Sequence, residues 1–114
     1  MRSLAVAICV VLAACGHEGV SGETTQWHCA RESCAVDFLV TNQSGKRQQV
    51  AYVLRAHLIR STATGGGGAK TQETVGELHG EVELLGQEQR RMSATVPVRM
   101  RPTMIVTSAW VREL

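Results

Sequence analysis

Several kinds of protein are excluded by what this chain of 114 residues lacks. A helix that crosses a bilayer needs about 20 consecutive apolar residues. The apolar run from Leu4 to Leu12 is less than half that, and no later segment approaches it, so no segment is predicted to span a membrane. Neither sign of charge dominates, with 12 Lys and Arg against 10 Asp and Glu. That balance argues against a nucleic-acid binder. No Gly-x-Ser-x-Gly elbow presents a nucleophilic serine, and Asp37 is the single aspartate. No two cysteines have the two-residue spacing of a redox motif, and a zinc site would need four ligands in two clusters. Gly65 to Gly68, followed by Ala69-Lys70-Thr71, invites comparison with a phosphate-binding loop. It fails because Thr64 and Ala69 stand where the two defining glycines belong. The segment from Ser61 to Thr71 is therefore read as a mobile loop.

What is present begins at the first residues. Arg2 supplies one positive charge, Leu4 to Leu12 is apolar, and small residues follow, which is the layout of a secretory signal peptide. The run ends in Leu12-Ala13-Ala14-Cys15, a branched residue, two small ones and a cysteine. This resembles the lipobox of bacterial lipoproteins. The resemblance implies that the thiol of Cys15 receives a diacylglyceryl group and that the bond before it is cut. It further implies acylation of the palmitate type and a membrane anchor. Gly16 stands where an aspartate would resemble the inner-membrane retention signal. The implied location is the cell envelope: the outer membrane facing the periplasm if the host is Gram-negative, otherwise the cell surface.

Cleavage before Cys15 leaves 100 residues (114 less 14), enough for one domain and too few for two. Removing Arg2 leaves 11 basic residues (12 less one) against 10 acidic ones. Cys9 leaves with the signal and Cys15 takes lipid, so Cys29 and Cys34 remain in an oxidising compartment. They are predicted to form a structural disulfide across a turn of Ala30-Arg31-Glu32-Ser33.

The predicted organisation is residues 1–14 as signal peptide, 15–23 as lipidated tether and 24–114 as a β-sandwich domain. From Thr24 onward the hydrophobic period is two. Val36, Phe38 and Val40 form one face of a strand, and Asn42-Gln43-Ser44-Gly45 is turn chemistry with Gly45 free to take positive φ. Val50, Tyr52, Leu54, Ala56 and Leu58 point one way along the next run, with Ala51, Val53, Arg55, His57 and Ile59 on the other face. Residues 75–85 also have helical spacing, but Gly76, Gly80 and Gly86 each cost a helix about 1 kcal/mol, so a strand is favoured. Met92, Ala94, Val96, Val98 and Met100 share one face of a later strand that contains Pro97 and therefore has an unpaired side. A last strand covers Met104 to Val111. Six or seven antiparallel strands give an all-β, small immunoglobulin-like β-sandwich. The predicted core is Val36, Phe38, Val40, Tyr52, Leu54, Val82, Leu84, Val96 and Val98.

Val40-Thr41-Asn42 with Ser44-Gly45, the apolar run Val50 to Leu58, and Leu84-Leu85-Gly86-Gln87-Glu88 resemble elements of the FxLYD family of immunoglobulin-like envelope domains. The likeness spans residues 34 to 98. Leu58-Ile59-Arg60 stands near where the family's Leu-Tyr-Asp would fall.

Candidate functional residues are few. His17, His28, His57 and His79 have no spacing that makes them converge, so neither a metal nor another cofactor is expected. Met92, Met100 and Met104 suit copper(I) chemically, but core packing is the favoured reading of the first two. Glu77, Glu81 and Glu83 recur on a polar strand face, where carboxylates are solvated. If Leu84 and Arg90 pair across a hairpin, Glu83 lies opposite Arg91. Arg91, Arg99 and Arg101 form a possible strip for an anionic partner. The expected function is a lipid-anchored, non-catalytic lipoprotein acting as an interaction or accessory module in an envelope or secretion assembly. Its partners are the membrane, through lipid on Cys15, and an envelope protein. The alternatives are a ligand- or metal-binding lipoprotein and an immunity or exclusion lipoprotein.

Overall fold

The computed structural model describes residues 19–62 and 69–112. Among these residues the chain is all β, with six strands and no helix. They are β1 (Val20–Ala30), β2 (Ser33–Asn42), β3 (Gln48–Thr62), β4 (Ala69–Leu84), β5 (Gln89–Pro97) and β6 (Met104–Val111). Two antiparallel sheets result, ordered β1-β2-β5 and β4-β3-β6. β1–β2 and β3–β4 are hairpins, and the chain changes sheet after β2, β4 and β5. A fourth strand beside the third is the arrangement of strand C′ in a variable-type immunoglobulin sandwich. The fold expected from turn spacing and period-two patterning is the one found.

Cys15, His17 and Gly65–Gly68 lie outside the described residues. β1 starts at Val20, four residues before the boundary expected at Thr24, because Val20 to Glu23 pair with Asn42 to Leu39. The β3–β4 hairpin likewise extends to the pair Thr62↔Ala69, into the segment read as a loop.

The core lies between the sheets. Val36, Phe38, Val40, Leu54, Leu84, Val96 and Val98 are buried together, with Tyr52 and Val82 packed at the margin. Each fully buried Val, Leu or Phe contributes about 1.5–3 kcal/mol. The Phe38 and Tyr52 ring centroids are 5.1 Å apart, and the Tyr52 ring fills the space that a side chain on Gly80 would take. Met100 does not join this face. It is 39% exposed, because Val98 ends the inward series where β4 crosses over.

Two bulges adjust the alternation. Thr25 is the extra residue in β1 between the pairs Thr24↔Phe38 and Gln26↔Asp37. It moves the inward positions from Val20 and Gly22 to Trp27 and Cys29, so both halves of the strand face the core. Val75 is the extra residue in β4, and its carbonyl accepts the Arg99 N–H at 3.0 Å. This bond and the bridge Gly76↔Val98 join the two sheets along one side. On the other side the sheets meet at Gly22, where an added Cβ would lie 2.8 Å from Thr107 Cγ2.

Cys29 and Cys34 are directly opposed in the β1–β2 register and bonded, around a turn whose two loop residues are Arg31 and Glu32. Arg31 takes positive φ (56°), as do Gln87 (65°) and Gly19 (83°). Gly45, although free to take positive φ, does not. Gly45 instead comes so close to the β4–β5 turn that a side chain on Gly86 would sit 2.6 Å from its carbonyl oxygen.

Leu84 and Arg90 do not pair across a hairpin, the condition for Glu83 to lie opposite Arg91. β4 and β5 belong to different sheets, so Glu83 faces Gln49 and Arg91 faces Leu39. Asn42 directs the turn between them across the sandwich. This fully buried side chain donates from Nδ2 to Lys46 O (2.8 Å) and Leu85 O (3.0 Å). Its Oδ1 accepts from Ser44 N (3.1 Å) and Ser44 Oγ (2.7 Å). Its backbone N–H donates to Glu88 O at 2.8 Å.

Asn42→Ala is expected to cost about 2–4 kcal/mol, since it strands several part-buried carbonyls and donors at once. Urea denaturation checks this; a loss below about 1 kcal/mol would contradict the role given to the amide. Reducing Cys29–Cys34 should cost roughly 2 kcal/mol, the chain-entropy value for so short a loop, and lower Tm by several degrees without unfolding the domain. Thiol counting on the denatured, unreduced chain should find neither cysteine free.

Candidate interaction surface

The outward face of the β4-β3-β6 sheet carries a network of paired charges. Its cross-strand rows are Glu81–Ala51–Trp110, His79–Val53–Ser108 and Glu77–Arg55–Val106, with Glu83–Gln49 beyond. β3 is central, and its outward residues Ala51 and Val53 are buried between its two neighbours. The carboxylates of β4 each meet a cation. Arg55 Nε lies 2.5 Å from Glu77 Oε2, and His79 Nε2 lies 3.0 Å from Glu77 Oε1. Arg112 holds Glu81, which also accepts from Gln49 Nε2 at 3.4 Å, and Arg47 lies 3.6 Å from Glu83. Past the second bulge, Glu73 meets Arg99 at 2.7 Å and Arg60 at 3.8 Å.

Hydrogen bonds from His79 and then Arg55 hold the Glu77 carboxyl below its ordinary value of 4.5, and Arg112 does the same for Glu81. Glu88 is lowered first by the Leu85 backbone N–H and then by Arg90. Glu81 in turn raises Arg112. These are ionised, partnered and solvent-facing groups. A carboxylic acid poised for proton transfer has the opposite shift. Between them are two shallow clefts that share Glu81. One, of about 470 Å³, is lined by Arg47, Gln48, Gln49, Glu81, Glu83 and Arg112. The other, of about 290 Å³, lies among Ala51, Tyr52, His79, Gly80, Glu81 and Trp110.

The three arginines singled out in the sequence do not gather into one patch. Arg91 is exposed near the start of β5, opposite Leu39. Arg99 follows the strand, eight residues and thus roughly 25 Å further on at strand rise. It is drawn to β4, with Glu73 and the Thr74 carbonyl as partners. Arg101 is exposed in the β5–β6 connection. The domain histidines also stand apart. His28 is exposed beside the disulfide and His79 is paired with Glu77. His57 keeps its place on the outward face of β3 yet is buried, with Thr74 Oγ1 3.3 Å from its Nδ1 beside the β4 bulge. Among the described residues no group of three or more His, Cys, Asp or Glu could hold a metal ion. Met100 and Met104 are partly exposed, and the Met100 sulfur accepts a hydrogen bond from Arg60 at 3.6 Å.

Two features escaped sequence reasoning. Asn42 looked like one turn residue among several, and its linkage to Leu85, 43 positions away, has no local signal. Leu84 and Leu85 are adjacent apolar residues, yet one is buried and the other 59% exposed. Compared with protein-family profiles, with characterised proteins and with solved structures, the chain matches none.

The lowered carboxyls fix the sign of an acid effect. Glu77, Glu81 and Glu88 bind fewer protons folded than unfolded in the acid range. Their contribution is complete above the unfolded carboxyl value and is lost as pH falls through the lowered folded values. Tm should therefore be flat from neutrality to about pH 5 and fall below it. Glu81→Gln should flatten that fall slightly, and 1 M salt should shrink the difference. Scanning calorimetry across pH tests this; a Tm that rises on acidification would refute it.

Proposed function

We propose that this chain is a bacterial cell-envelope lipoprotein, held by lipid on Cys15, whose β-sandwich is a non-catalytic interaction or accessory module in an envelope or secretion assembly. The observation that carries the reading is Leu12-Ala13-Ala14-Cys15 at the end of a short apolar run, five residues before Val20 opens β1. Each buried methylene of an acyl chain contributes about 0.8 kcal/mol, and two or more chains give stable retention where one does not. Gly16 in place of an aspartate supports the outer membrane where the host has one. The Cys29–Cys34 bond suits an oxidising envelope compartment. A module rather than an enzyme is supported by the ion pairing of Glu73, Glu77, Glu81 and Glu83, which engages the carboxylates that acid–base chemistry would draw on.

A ligand-binding lipoprotein is the second reading. The observation in its favour is the pair of clefts that share Glu81 beside the partly exposed Trp110.

Replacing Cys15 with Ser should release the protein from the membrane fraction or leave it unprocessed. Intact mass spectrometry of the parent chain should find a lipid-modified N-terminal cysteine. An unmodified chain that begins elsewhere would sink the proposal. Purification of the intact protein from native membranes separates the two readings: a stoichiometric envelope protein supports the module, and a small bound molecule supports the second.

A further inference from the structure

The anchor reading has a geometric consequence. Cys15 is four residues from Gly19, so their Cα atoms are at most about 14 Å apart. The headgroup layer on each side of the hydrocarbon core is itself about 5–8 Å thick. A domain that begins at Gly19 therefore has one end within a few water layers of the bilayer surface.

The structure identifies that end. The Gly19 carbonyl accepts the Gln43 N–H at 2.6 Å, which fixes the entry of the chain on the β2–β3 turn. Asn42 binds that turn to the β4–β5 turn, and Arg112 N–H donates to Gln49 O at 2.8 Å, bringing the end of β6 alongside. The β1–β2 turn, the disulfide and the β5–β6 connection lie at the opposite end, joined by the Val98 N–H to Glu32 O bond of 2.9 Å. The long axis of the domain is 52 Å.

The end near Gly19 carries an apolar side chain the fold does not use. Leu85 is 59% exposed, more than any other large hydrophobic residue described, while its neighbour Leu84 is fully buried. Its turn is held by other groups: the Leu85 N–H donates to Glu88 Oε1 at 2.8 Å, and its carbonyl accepts from Asn42. Lys46 is beside it, since one Asn42 Nδ2 bonds both the Lys46 and the Leu85 carbonyls. Arg47, Arg90 and Arg112 at this end are paired with Glu83, Glu88 and Glu81. Lys46 is exposed and has no ion-pair partner among the described residues.

We infer that this end is a bilayer contact, with Leu85 entering the interfacial layer and Lys46 meeting anionic lipid headgroups. The inference rests on the reading of Cys15 as lipid-modified. One leucine and one lysine would bind a membrane weakly on their own. The tether makes the contact intramolecular, and its high effective concentration lets a weak contact set the orientation. The long axis then stands away from the membrane, carrying the disulfide hairpin and the Met100–Met104 segment outward.

The test uses the full chain, processed in cells and reconstituted into phosphatidylethanolamine–phosphatidylglycerol vesicles whose acyl chains carry bromine, a short-range quencher of tryptophan. Leu85→Trp and Arg101→Trp are compared with the parent, whose signal from Trp27 and Trp110 is subtracted. Both positions are exposed, and circular dichroism confirms the fold of each variant. The emission added at position 85 should be blue-shifted and lost in brominated vesicles, while that added at 101 is retained. Adding Lys46→Glu should abolish the extra quenching that phosphatidylglycerol confers at position 85. A lipidated chain that floats with the vesicles yet shows unquenched emission at position 85, or equal quenching at both positions, overturns the contact alone. Equal quenching at 85 with and without phosphatidylglycerol overturns the role of Lys46. A chain that carries no lipid by intact mass and does not float overturns the contact and the anchor together.

Discussion

The amide of Asn42 is the interaction on which the arrangement of the two sheets depends. A sandwich of short strands must pass its chain from one sheet to the other without leaving buried backbone groups unpaired. Here two of the crossings, β2 to β3 and β4 to β5, occur side by side at one end, and a single buried side chain serves both. Its Nδ2 donates to a carbonyl in each turn and its Oδ1 accepts from Ser44. Neither a carboxylate nor an apolar residue could supply donors and acceptor together at this point. Gly86 lies against Gly45 because the turns drawn together this way leave no room for a side chain.

The sides of the sandwich are closed by different means. At β1 and β6 the sheets meet through small residues, with Gly22 against Thr107 and Ala109 and with Thr24 Oγ1 2.8 Å from Thr107 Oγ1. At β4 and β5 they meet through backbone bonds that the Val75 bulge makes possible. The remaining strand edges are protected chemically. β4 presents Glu77, Glu81 and Glu83 with their cationic partners, and β5 contains Pro97, which has no N–H to offer a passing strand. The ion pairs are exposed and screened, so they contribute little stability. They discourage edge-to-edge association and leave the face neutral.

In the proposed anchoring, the address is carried by a linear motif, Leu12 to Cys15, and the orientation by where β1 starts. A boundary at Thr24 would have allowed a tether of nine residues from Cys15 and a domain free to tumble above the bilayer. In the proposed anchored state, the pairing of Val20 to Glu23 with β2 shortens that tether, and the two turns with Leu85 and Lys46 are the end it brings to the lipid.

The sequence by itself determined what depends on local pattern. Alternation along Val36–Val40, Val50–Leu58 and Met92–Val98 specified strands and the inward face of each, because side chains in a strand repeat every two residues. The short loop between Cys29 and Cys34 specified a hairpin bond, and Leu12 to Cys15 carries the resemblance on which the proposed anchor rests. Only the tertiary structure decided which strands are neighbours. The Leu84–Arg90 hairpin was as consistent with the alternation as the crossing that occurs, since either one buries Leu84. What separates them is a set of contacts between residues more than 40 positions apart, chiefly Asn42 with Leu85. The same holds for the surface. Whether Arg99 joins Arg91 or turns to Glu73, whether His57 faces water or Thr74, and which of Leu84 and Leu85 is buried all follow from bulges and crossings. A one-residue shift in register reverses every side chain beyond it, and no local spacing records it.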